Sequence, residues 1–194
     1  MTNAGFFLVQ TVFGLYLTMV IVRFMLQLAK ADFYNPIAQT VVKLTQPLVA
    51  ALQKVMPRTG RFSLATLILA ILVQLLLLSV LTLIHPSIPM PNPLNLVVWS
   101  LLGLASQVLD LLFFAILASI VLSWLAPQTK HPGAYLLHQL TEPVMSPARR
   151  MLPNLGGLDF SPILVFIIIN LVDMLVIQNL VSNFGMPRIL VLGL

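Results

Sequence analysis

The chain contains no cysteine, which excludes a disulfide framework, a thiol nucleophile and a thiolate metal site. Charge is nearly as scarce: 8% of the 194 residues are Asp, Glu, Lys or Arg, against about 25% in an ordinary soluble domain. No Lys or Arg stands before residue 23 or between residues 62 and 129. No G-x-S-x-G elbow supports Ser146 or Ser161 as a nucleophile. The glycine-rich "NLGGLD" lacks the lysine and the strand–helix context of a phosphate-binding loop. No pair of histidines lies within an apolar run to ligate a haem in the bilayer. The three histidines are His85, His131 and His138, and His138 with Glu142 at i and i+4 reads as a surface pair rather than a ligand set. Neither an enzyme, nor a metal site, nor a cofactor is expected.

What fills the chain is apolar, 59% of it. Four runs, Ala4 to Ala29, Leu64 to Ile84, Val97 to Leu125 and Ile163 to Leu180, approach or exceed the roughly 18–20 residues needed to cross a hydrocarbon core. The fold class expected is an all-α membrane protein with four transmembrane helices, over about residues 4–29, 64–84, 97–125 and 163–180. "LAKA" at Leu28 to Ala31 has the small-x-small look of a signal-peptidase site. "MTNAGFF" has no basic n-region, however, and the run is too long, so the first helix reads as a retained anchor.

The net charge of +5 reflects topology rather than nucleic-acid binding. Lys30, Lys43, Lys54, Arg58 and Arg61 stand between the first two helices, and Lys130, Arg149 and Arg150 between the last two. The positive-inside rule makes both basic segments cytoplasmic and both termini periplasmic, in a multi-pass protein of the bacterial inner membrane. Anionic lipid headgroups are the natural partners of such segments.

The chain repeats itself. At a shift of 96, Pro36, Ala38, Leu44, Thr45, Pro47, Pro57 and Gly60 fall on Pro132, Ala134, Leu140, Thr141, Pro143, Pro153 and Gly156. The halves, 1–96 and 97–194, each comprise a helix, a cytoplasmic segment and a second helix. Both begin on the same side of the membrane, so the repeats are parallel, about an axis along the membrane normal.

The cytoplasmic segments, 36–56 and 132–152, are amphipathic. Ile37, Val41, Leu44, Leu48, Leu52 and Val55 form an apolar stripe opposite Lys43, Gln46, Gln53 and Lys54. Leu137, Leu140, Val144, Ala148 and Met151 do so opposite Gln139, Glu142, Ser146, Arg149 and Arg150. Asn35 before Pro36 predicts a helix start, and Ser146 before Pro147 predicts a short second helix. Pro47 and Pro143 lie inside the stripes, where each kinks or breaks the helix, with Thr45 and Thr141 placed to bond nearby freed carbonyls. Pro57 with Gly60, and Pro153 with Gly156 and Gly157, end the segments. The expectation is a bent amphipathic element laid along the inner membrane surface in each half.

Few polar groups interrupt the spans: Arg23, Gln74, Asp110 and Asp173, with Asn170 one turn before the last. Arg23 is near enough to a helix end to snorkel. Asp110 and Asp173 fall near mid-depth, and serve either to lock helices by hydrogen bonding or to relay a proton or cation. Four short helices leave little interior for a solute path unless subunits associate, so transport would imply a homo-oligomer. Trp99 and Trp124, roughly 37 Å apart along one helix, suit the two aromatic belts.

The stretches "RFMLQLAKADFYNPIAQTVVKLTQPLVAALQKVMP" and "LTEPVMSPARRMLPNLGGLDFSPILVFIIIN" resemble the YggT family of small bacterial membrane proteins, which has chloroplast relatives. The likeness covers nearly the whole chain as two family repeats. It rests most on the second, where Thr141, Glu142 and Pro143, the run from Ser146 to Arg150, and Gly156, Gly157, Asp159, Ser161 and Pro162 stand together. In the first, Gln53 and Lys54 replace the paired arginines and "RTGRFS" replaces the aspartate-bearing turn, which places any direct role in the second half. The resemblance implies an inner-membrane protein without established enzymatic activity, linked to osmotic stress and ion uptake, to the neighbourhood of division genes, and to cytochrome assembly and nucleoid distribution in plastids. The function expected is a scaffold or assembly factor for other membrane components, meeting an unidentified membrane-protein partner through Glu142, Arg149 and Arg150. The alternative is an ion-linked transporter or channel component using Asp110 and Asp173.

Overall fold

The computed structural model describes residues 2–56, 63–85, 88, 90–126, 131–152 and 159–190. Pro57, Arg58, Gly60, Arg61, Lys130, Pro153, Gly156 and Gly157 lie outside them, and with them the turns expected to end the amphipathic segments. The regular structure of the described residues is helical: α1 (Thr2–Leu28), α2 (Pro36–Gln53), α3 (Leu64–Ile84), α4 (Pro93–Leu125), α5 (Pro132–Met151), α6 (Ser161–Val172), a π-helical turn (Asp173–Ile177), α7 (Gln178–Asn183) and a 3-10 turn (Arg188–Leu190). Four stretches are long and apolar enough to span a membrane: Ala4–Leu28, Leu64–Ile84, Pro93–Leu125 and Ser161–Asn183, the last running through α6, the π turn and α7. The protein is a multi-pass, all-α membrane protein.

The spanning helices are apolar on every side, so their sequences carry little facing information. Small residues decide which faces meet. Leu17, Val20, Ile21 and Leu26 of α1 share one buried cluster with Ala65, Leu69, Ala70 and Val73 of α3. Among the described residues this α1–α3 pairing is the most extensive, and the matching contact in the second half, α4 against α6, the π turn and α7, is about half as extensive. Gln74 is fully buried with neither amide atom hydrogen-bonded. It occupies space that Gly103 leaves free, since a Cβ at Gly103 would collide with the Gln74 amide.

Both amphipathic segments begin where the sequence indicates. Asn35 Oδ1 accepts from the Ile37 N–H at 2.9 Å, His131 Nδ1 accepts from the Gly133 N–H at 3.1 Å, and proline opens each helix. The caps also join the halves. Asn35 Nδ2 donates to the Pro132 carbonyl at 2.8 Å, and the Asp32 N–H donates to Gln139 Oε1 at 3.0 Å.

The expected breaks do not occur. Pro47 lies within a continuous α2, and α5 runs unbroken through Pro143 and Pro147 with no second start at Ser146. All three prolines are exposed, so each missing hydrogen bond falls on the side of its helix away from the packed bundle. Thr45 and Thr141 do not bond the carbonyls the prolines leave; they bond one turn back, to Val41 O at 2.7 Å and Leu137 O at 2.9 Å.

The buried stripes are also displaced from those expected. Helix α2 buries Ala38, Thr45 and Val49, and leaves Ile37, Leu44 and Leu48 exposed along a neighbouring face. Helix α5 buries Leu136, Leu140, Thr141, Met145 and Ala148, while Met151 is exposed. Threonine takes a central place because its hydroxyl is satisfied within its own helix.

At the end of the bundle away from α2 and α5, α7 closes with Gly185 at φ 62° and the Met186 N–H donating to Val181 O at 2.9 Å, a Schellman turn. The chain then folds back. Met186 and Leu190 are buried among Leu77, Leu78, Leu81, Trp99 and Leu102, which seats residues 186–190 of the apolar tail against the bundle. Trp99 therefore does not belong to a lipid-facing belt. It is 2% exposed, and its indole donates to Phe184 O at 3.0 Å. Trp124, at the other end of α4, is 80% exposed.

Candidate functional site: a charged helix face and a polar cleft

Two places gather the polar residues. The first is the exposed side of α5 and its approach to α6. Glu142 pairs with Arg149, with His138 Nε2 3.6 Å from the same carboxylate oxygen. Arg149 also lies 3.7 Å from Asp159. Asp159 Oδ1 in turn accepts from the backbone N–H of Ser161 at 2.9 Å and from its hydroxyl, which satisfies a donor at the start of α6 just before Pro162. One arginine thus ties the end of α5 to the beginning of α6. Arg150 does none of this: it is exposed, has no partner among the described residues, and lines an open depression of about 620 Å³ with His138, Gln139, Glu142 and Ser146. Lys43 on α2 and Lys54 at its C-terminal cap are likewise exposed.

The second place is a cleft of about 780 Å³ between α4 and the last span. Both mid-span aspartates open into it, with Ser106, Asn170, Gln178 and Ser182 as further polar lining. Asp173 Oδ2 accepts from Gln178 Nε2 at 2.8 Å, and Asn170 Nδ2 donates to Phe166 O at 2.8 Å within its own helix. Asp110 makes no hydrogen bond among the described residues, so the interhelical lock is not formed. The sparse packing of the second half and this cleft are one fact. Shifted by 96, Asp110 and Asp173 fall on Gly14 and Leu77, and where Leu77 stands in the first half the interior is sealed.

The π turn shapes the cleft. In an α-helix a residue five positions on points roughly 140° away, which would aim Gln178 off the Asp173 face. A turn bonded from i to i+5 returns it, as the donation from the Gln178 N–H to Asp173 O shows. Sequence reasoning missed Ser106, Gln178 and Ser182. Ser106 was legible, four residues before Asp110 and so on the same helix face; Gln178 was not, because its placement depends on the π turn.

The remaining intramembrane groups serve packing. Arg23 does not snorkel. It is 5% exposed, and its guanidinium donates to Thr45 Oγ1 at 2.8 Å and Gln46 Oε1 at 2.7 Å, joining α1 to α2. At its counterpart in the second half stands Ser119, and Gln46 is replaced there by Glu142, which turns to Arg149. Among the described residues no three His, Cys, Asp or Glu side chains are grouped as a metal site would require.

The sequence profile of the CCB3/YggT family matches residues 2–84 and again residues 98–180. The two matches are offset by the same 96 residues that relate Pro36 to Pro132. Curated relatives include an uncharacterized protein of Pseudomonas aeruginosa, 43% identical over 188 residues, 97% of this chain and 95% of the relative. An uncharacterized protein from the proC 3' region of Vibrio alginolyticus is 41% identical over 165 residues, 85% of this chain and 89% of its own. The uncharacterized protein YggT of Escherichia coli K12 is 34% identical over 186 residues, 95% of each chain. No solved structure matches. With two tandem matches spanning most of its length and full-length relatives above 30% identity, this chain belongs to the CCB3/YggT family.

Proposed function

We propose that this protein is a non-enzymatic organising or assembly factor for other components of the bacterial inner membrane, engaging a membrane-protein partner through the exposed face of α5. The observation that carries this reading is the division of labour between adjacent arginines. Arg149 is held by Glu142 and Asp159, whereas Arg150 has no partner among the described residues and lines an open depression. An exposed, planar guanidinium with its donors free suits a carboxylate or a phosphate. The basic segments place α2 and α5 on the cytoplasmic side. There the exposed Ile37, Leu44 and Leu48 of α2 suit the acyl boundary, and Lys43 and Lys54 suit anionic headgroups.

Orientation is tested by labelling, which the lack of native cysteine makes clean. Met90→Cys, at a site 66% exposed, is expected to react with a membrane-impermeant maleimide in intact cells, and Arg150→Cys only after lysis. Reaction of the second from outside rejects the cytoplasmic assignment. The docking face is tested by quantitative capture after membrane crosslinking. Arg150→Glu is expected to reduce the crosslinked partner by about tenfold through charge reversal at a free cation, with membrane abundance unchanged. Capture equal to wild type removes the α5 face from the function.

A second reading, ion-linked transport, is favoured by the convergence of Asp110 and Asp173 on one cleft.

A further inference from the structure

The spanning helices contain two carboxylates that no cation of the same helices neutralises. Among the residues of the four spans Arg23 is the only Lys or Arg; its guanidinium donates to Thr45 and Gln46 of α2, and it does not line the cleft. Asp110 lies at the middle of Pro93–Leu125 and Asp173 at the middle of Ser161–Asn183. Ionised groups at that depth are costly unless paired or protonated.

A second, independent feature points to an occupant. Ser106 is 4% exposed, lines the cleft, and has no hydrogen-bond partner among the described residues. The other serines of α4, Ser100 and Ser123, bond backward to Leu96 O at 2.8 Å and Ile120 O at 2.7 Å. Ser106 is thus a buried residue at the wall of the cleft whose hydroxyl meets no partner among the described residues.

We infer that the cleft is a lateral docking site for one transmembrane helix of another protein, whose basic side chain at mid-depth enters between Asp110 and Asp173. Charge complementarity selects this occupant. Two carboxylates with an adjacent hydroxyl and the Gln178 amide offer acceptors for an ammonium or guanidinium, and Leu109, Phe113, Ile169, Ile177 and Val181 give the same cleft apolar walls for the flank of a helix. In lipid there is no hydrophobic drive between helices, so packing and such polar contacts decide which pairs form. A second copy of this chain does not fit, because its one intramembrane cation is buried at its own α1–α2 joint. Among the described residues no third acidic or histidine side chain joins the two carboxylates, as a dedicated metal site of such ligands would require.

This deepens the assembly reading and rests on it, but the two fail separately: the α5 face is tested by capture, the cleft by peptide binding. Full-length protein in liposomes is labelled for energy transfer to synthetic single-span Leu/Ala peptides. These carry Lys at the centre, Leu at the centre, or Lys moved two turns toward one end. The central-Lys peptide is expected to bind about tenfold more tightly than the Leu peptide, a difference of 1.4 kcal/mol. The displaced-Lys peptide is expected to lose that preference, and Asp110→Asn with Asp173→Asn to abolish it. Equal binding of the three peptides by the unaltered protein overturns the inference, and this arm needs no variant. Sodium or potassium flux through the same liposomes, lost in the Asn variants and without any peptide preference, also overturns it and assigns the cleft to ions.

Discussion

Arg23→Ala is expected to destabilise the folded protein by about 2 kcal/mol and to release α2 from the bundle. The guanidinium makes two hydrogen bonds across the α1–α2 joint, at 2.8 Å and 2.7 Å, and bonds to a charged group contribute about 1.5–3 kcal/mol each. Against this, an arginine at the centre of a spanning helix costs about 2.5–3.5 kcal/mol on insertion scales, and less near a helix end. The bonds outweigh the relief, and the buried stem adds packing that alanine forfeits. The stable readout is local. Amide exchange across Pro36–Gln53 is expected to accelerate in the variant while exchange in α3 changes little, because α3 packs on Leu17, Val20 and Ile21 of α1 and the Arg23 hydrogen bonds go to α2. Arg23→Lys keeps the charge but presents one ammonium where a fork spans two acceptors, so it falls between. Unchanged exchange in α2 would show that its apolar face alone holds it.

Trp99→Ala carries the larger expected loss, about 3–5 kcal/mol, the usual cost of removing a buried tryptophan. Its ring packs with Leu77, Leu78, Leu81, Leu102, Met186 and Leu190, and its indole holds the Phe184 carbonyl in the turn that carries Gly185 and Met186 to the cleft. Loss of the ring is therefore expected to undock the tail as well as lower the melting temperature. Trp99→Phe separates the two contributions: it keeps most of the apolar volume and removes one hydrogen bond, worth about 1 kcal/mol. A cysteine at Met186, 4% exposed in the folded chain, reports undocking. Rapid thiol labelling is expected with Trp99→Ala and slow labelling with Trp99→Phe. Equal, slow labelling in both would show that Leu190 and Met186 anchor the tail without the indole.

For both variants, a melt in detergent followed by circular dichroism gives the global loss against which the local readouts are judged.

The division between sequence and tertiary structure follows from where the information resides. The sequence by itself determined the class, the four spans and the duplication. Length and apolarity decide what crosses a bilayer, and a shift of 96 residues is visible without coordinates. It also determined the start of α2, because an Asn followed by proline is a local signal, whereas the His131 cap of α5 was seen only in the structure. The seating of these helices was beyond its reach. A proline's consequence depends on which side its missing bond falls, and Pro47, Pro143 and Pro147 fall outward, so the helices continue.

Spanning helices that are apolar all round gave no facing signal, so tertiary structure alone decided that Arg23 turns inward to Thr45, that Trp99 is interior, and that the tail folds back upon it. It alone decided the cleft. Asp110 and Asp173 were conspicuous as lone charges in apolar runs, but they are 63 residues apart in the chain. Their meeting required the loose packing of α4 against the last span, and the alignment of Gln178 with Asp173 required a π turn. Both are properties of how helices fit together in space, which neighbouring residues in the chain do not encode.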